Sequence, residues 1–61
     1  MNVSKVKELC EKDGISQNEL ARRVGVSTAT MSNFMSGKRE PRADVFKAIC
    51  KVLGRKAEEL W

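Results

Sequence analysis

From Thr28 to Ser36 the chain reads TATMSNFMS without a single charge, although Asp, Glu, Lys and Arg make up 33% of the protein. Read as a helix with Met31 and Phe34 inward, this stretch turns Ala29, Ser32, Asn33 and Ser36 outward and leaves Thr28 exposed at its start. The outward groups are hydroxyls, one carboxamide and methyls, all on short side chains. They suit close approach to a polar edge, with hydrogen bonds made at short range. Lys38, Arg39 and Arg42 follow directly, opposed locally by Glu40. A solvated helix face is usually rich in Lys and Glu, as residues 3–12 are here, so the neutral face beside a cationic loop reads as a contact surface for a polyanion.

Other chemistries lack their residues. The chain has no His, no G-x-S-x-G, no phosphate-binding glycine loop and no paired carboxylates in an apolar setting. With 61 residues it also lacks volume for an enclosed pocket of several hundred Å3. An enzymatic role is therefore not expected, and neither a cofactor nor a small-molecule ligand is. Cys10 and Cys50 are far apart in the chain and lack CxxC spacing, a poor basis for a metal site. Both fall on apolar sides of helical patterns, which favours reduced core cysteines over a disulfide. The N-terminus MNVSKVKELCEKDG has no long apolar core and no transmembrane run follows, so a cytoplasmic protein without membrane contact is expected. Twelve basic against eight acidic residues give a net charge of +4. The pI near 9.4 exceeds the value of about 9 that marks nucleic-acid-binding domains.

The elements that must hold the neutral face follow from caps, glycines and apolar spacing. Leu20, Ala21 and Val24 line one side of a helix opened by Ser16-x-x-Glu19, a pattern in which each side chain can satisfy the other's backbone amide. Gly25 stops that helix, Val26 points inward, Ser27 caps the next helix, and Gly37 ends it as Gly25 ended the first. Ser16 to Gly37 is thus a helix-turn-helix. Ahead of it, Val3, Val6, Leu9 and Cys10 predict a helix over 3–12 closed by Gly14, with Lys5, Lys7 and Lys12 as a solubilising surface. Ile15 can staple onto Leu20. Beyond it, Val45, Phe46, Ile49, Cys50 and Leu53 predict a helix over 42–53, ended by Gly54 and favoured by Asp44 near its start. Ala57, Leu60 and Trp61 are expected to face the core from a short fifth helix. No strand pattern occurs. The expected fold is all-α, a compact five-helix orthogonal bundle forming one domain over residues 1–61, with the helix-turn-helix at about 17–36.

Gln17, Leu20-Ala21, Val24-Gly25-Val26, Met31, Phe34, Ser36-Gly37, Pro41, Leu53-Gly54 and Glu59-Leu60 together resemble the Cro and phage-repressor (XRE-type) helix-turn-helix family. The resemblance spans nearly the whole chain. It implies a lambda-repressor-like domain that binds double-stranded operator DNA, usually as a homodimer on a near-palindromic site. It places Gln17 on a backbone phosphate, Thr28, Ala29, Ser32 and Asn33 at base edges, and Lys38, Arg39 and Arg42 along the phosphate backbone. The chain departs from the family at three places. Thr28 and Ala29 stand where Gln is frequent, Arg42 where a Ser or Thr cap often opens helix 4, and Arg55-Lys56 where an apolar residue and a Ser cap precede the last helix.

A reading face without Arg, Lys, Gln or Glu lacks the common bidentate contact to guanine. Asn33 can pair with adenine, and the methyls of Thr28 and Ala29 can touch thymine, so a half-site leaning toward A·T is expected. The function so implied is a sequence-specific transcriptional regulator, a repressor by preference. An antitoxin-like regulator that also binds a toxin, and a protein-interaction module using the helix-3 face, are the alternatives. Leu60 and Trp61 serve either to complete the core against helix 1 or to join two copies.

Overall fold

The computed structural model describes residues 1–61 as five helices, α1 Val3–Asp13, α2 Gln17–Val24, α3 Thr28–Met35, α4 Ala43–Leu53 and α5 Ala57–Leu60, with no strand. Each boundary has a local cause. Asn2 caps α1 through its Oδ1, which accepts the Lys5 amide at 3.0 Å. Ser16 and Ser27 cap α2 and α3 by accepting the Glu19 and Thr30 amides, each at 3.1 Å. At the end of α2, Gly25 sits at φ 89°, a conformation that costs a Cβ-bearing residue roughly 1–2 kcal/mol.

The thirteen buried side chains are all apolar and form one cluster. Val6, Leu9 and Cys10 come from α1, Leu20 and Ala21 from α2, and Met31, Phe34 and Met35 from α3. Phe46, Ile49, Cys50 and Leu53 come from α4, and Leu60 from α5. The most extensive helix pairing is α2 on α3, followed by α2 on α4, while α1 touches α3 and α5. Ala21 explains the closeness of the first pair: it is 1% exposed, and its carbonyl accepts the amides of both Gly25 and Val26, at 2.9 and 3.0 Å. Ile15 is half-buried against the cluster that holds Leu20. The radius of gyration, 10.0 Å, is near the roughly 10.5 Å expected of a globule this long.

Three expectations need correction. The Ser16–Glu19 box closes only halfway, because the Glu19 carboxylate pairs with Arg22 and Arg23 instead of reaching back to the Ser16 amide. Gly37 takes the expected left-handed conformation, one residue beyond Ser36, which caps α3 after Met35. Ala57 and Trp61 do not face the core. Leu60 is 0% exposed and Trp61 is 80% exposed, because adjacent residues on a helix point about 100° apart and Leu60 takes the inward place. The Trp61 ring instead meets Phe46 edge-on, 5.5 Å between centroids. Met35, unassigned from sequence, is buried.

The start of α5 is held in a way Arg55-Lys56 did not suggest. Lysine has no acceptor with which to cap, but Glu59 Oε2 accepts the Lys56 amide at 2.9 Å and its Oε1 lies 3.6 Å from Arg55. The last residue of the helix also ties the termini together, as the Leu60 carbonyl accepts the Asn2 amide at 2.7 Å.

Ala21→Leu adds bulk where α2 meets α3. It should lower stability by about 1–3 kcal/mol, read as a lower urea midpoint at unchanged slope. Cys10 and Cys50 are free thiols in the core. Burial raises both thiols above their ordinary pKa, with the Asp13 charge adding to the rise at Cys10. The folded state therefore holds these protons longer than the unfolded chain does. Their contribution is complete below the unfolded thiol value of about 8.5 and is lost as pH climbs through the raised values. A urea midpoint that falls between pH 8.5 and 10, and falls less in the Cys10→Ala/Cys50→Ala double variant, is the expected result.

Candidate nucleic-acid interface

α3 presents Thr28, Ala29 and Ser32 to solvent, with Asn33 half-buried beside them. The helix begins where Ser27 accepts the Thr30 amide, and the Ser27 hydroxyl in turn donates to Thr30 Oγ1 at 2.8 Å. That bond uses the Thr30 hydroxyl locally and sets it apart from the outward group. Ser36 is also committed, its hydroxyl donating to the Asn33 carbonyl at 3.2 Å. The Asn33 carboxamide makes no hydrogen bond within the protein, whereas its backbone carbonyl is heavily used. It accepts the amides of Lys38 and Arg39 at 3.0 and 3.2 Å. Asn33 is therefore both an open amide on the neutral face and the anchor of the loop that follows.

Gly37 makes that anchoring feasible. Its φ of 79° turns the chain back so that Lys38 and Arg39 can reach α3's last turn. Lys38, Arg39 and Arg42 are exposed and form no ion pair. Glu40, the acid among them, is drawn away: its carboxylate accepts from the Met1 ammonium at 2.7 Å. No local pattern signals this pairing, because the partners are brought together only by the packing of α1 on the rest. Arg42 stands at the N-cap of α4 without a capping bond, as a guanidinium has no acceptor to offer the helix amides. Its charge is left free.

Gln17 is the first residue of α2 and is exposed. Ser16 satisfies the amides of Glu19 and Leu20, leaving those of Gln17 and Asn18 without protein partners. Free amides at a helix start carry a partial positive charge and suit an anion. Arg22 and Arg23, on the far half of α2, share the Glu19 carboxylate. The hydrogen bond from Arg23, helped by the Arg22 charge, holds that carboxyl below its ordinary pKa. One of their two charges is thus offset, while Lys38, Arg39 and Arg42 form no ion pair.

The structure thus offers a neutral, hydrogen-bonding helix face on α3, free amides at the start of α2 and three unpaired cations in and after the loop that follows α3. No three His, Cys, Asp or Glu side chains converge as a metal site would need, and no helix is long and apolar enough to cross a membrane. A family model described as helix-turn-helix matches residues 6–60. No curated protein and no solved structure matches the chain. The capped helix pair of α2 and α3, the glycine turn between them and this match over nearly all of the sequence place the chain in the XRE/Cro-like helix-turn-helix family of DNA-binding proteins.

Proposed function

We propose that this protein is a sequence-specific transcriptional repressor that lays α3 in the major groove of operator DNA. An α-helix with its side chains is about 10–12 Å across, matching a groove about 12 Å wide. Thr28, Ala29, Ser32 and Asn33 then lie at base edges, while Gln17, Lys38, Arg39 and Arg42 hold the phosphates to either side. The observation that carries this reading is the contrast within 28–42: an exposed face free of charge, followed by cations whose one local acid is occupied by Met1. Binding of this kind represses by occupying the DNA that polymerase must enter.

A single module covers only about 600–1,000 Å2 on DNA, so two copies on a near-palindromic site supply the affinity. Leu60 is spent on the core, which leaves exposed Trp61 as the large apolar side chain available to such a pairing. Two free buried cysteines accord with a reducing, cytoplasmic setting. Sedimentation with a palindromic duplex should find two chains per duplex, and one chain per duplex would end the dimer reading.

Selection from random duplexes should return half-sites with an A·T-leaning core, and a guanine-dominated core would refute this mode of reading. Two variants separate reading from holding. Asn33→Ala should lose about 1–3 kcal/mol of discrimination at one base pair. Lys38→Ala should weaken binding to all sequences alike and reduce the salt slope by about one.

A further inference from the structure

Lys7 differs from the other lysines of α1. At about 100° per residue, Lys5 and Lys12 lie roughly 160° and 140° around the helix from it, and Glu11 only about 40° away. Lys7 lines a shallow concavity of about 200 Å3 with Cys10, Glu11, Ile15, Gln17 and Met35. The concavity therefore joins the flank of α1, the first residue of α2 and the last residue of α3. Cys10, Ile15 and Met35 provide its apolar part, and Lys7, Glu11 and Gln17 its polar part. Lys7 is exposed and has no ion-pair partner, Glu11 included.

We propose that Lys7 is a further phosphate-binding residue, acting with Gln17 on one backbone phosphate of the duplex. The inference rests on the DNA-binding reading above. The concavity is smaller than the roughly 300 Å3 at which small-molecule sites begin, but a phosphate projecting from a duplex needs only a notch. Gln17 and the free amides beside it contribute neutral donors. An ammonium adds a full charge, which strengthens hydrogen bonding to a phosphate oxygen and displaces a condensed counterion. Glu11, on the same rim, opposes that charge and limits the affinity of the site. Lys5 and Lys12, on the other flank of α1, are too far round the helix to take part.

The test is salt-titrated binding of the full chain to a duplex of mixed sequence. Lys7→Gln should weaken binding about five- to tenfold and lower the salt slope by about 0.9, on every sequence tried. Lys7→Arg should retain binding, Glu11→Gln should strengthen it, and Lys12→Gln should leave affinity and slope unchanged. Thermal midpoints equal to that of the unsubstituted protein exclude a folding effect at exposed Lys7. If Lys7→Gln behaves as Lys12→Gln does, while Lys38→Ala still lowers the slope, the assignment of Lys7 is wrong and the DNA-binding reading survives. If the unsubstituted protein shows no salt-dependent binding, that reading fails as well.

Discussion

The close approach of α2 and α3 at Ala21 is the constraint on which the rest of the structure depends. A methyl there lets the two helices approach, and the Ala21 carbonyl takes both amides of the turn, those of Gly25 and Val26. The angle between the helices is thereby set by backbone hydrogen bonds and by lack of bulk. Set that way, α3 buries Met31, Phe34 and Met35 and has only its short polar side left for solvent. A larger residue at Ala21 would move the exposed face as well as loosen the core.

A second theme is the disposal of acidic groups. Glu19 is shared by Arg22 and Arg23, Glu40 is taken by the Met1 ammonium, and Glu59 serves Arg55 and the Lys56 amide. Surface ion pairs of this sort add little stability. Their effect here lies in where charge remains. One of the two arginine charges on α2 and the charge of Arg55 are offset, whereas Lys38, Arg39 and Arg42 form no ion pair. Three unpaired cations thus follow the neutral face of α3 directly in the chain.

Helix positions were legible in the sequence because their signals are local. Ser16, Ser27, Gly14, Gly25 and Gly54 act on backbone groups a few residues away, and apolar spacing of three and four reports which side of a helix is buried. The neutral run from 28 to 36 was equally plain, since it needs only composition and period. Where two local options competed, the pattern was not enough. Glu19 could reach the Ser16 amide or the two arginines one turn on, and α2 in place gave it to the arginines. At the chain end, Leu60 and Trp61 were both suited to the core.

By itself, then, the sequence determined the five helices, the glycine turn and the chemical character of the α3 face, all properties of spacing and side-chain type. Tertiary structure alone decided which residues from distant segments meet. It placed Leu60 inside and Trp61 on the Phe46 edge, brought Met1 to Glu40, and set Lys7 beside Gln17. The physical reason is one of range. Caps and turns act through backbone hydrogen bonds between near neighbours, whereas the charge left free around α3 depends on contacts that form only after the helices have packed.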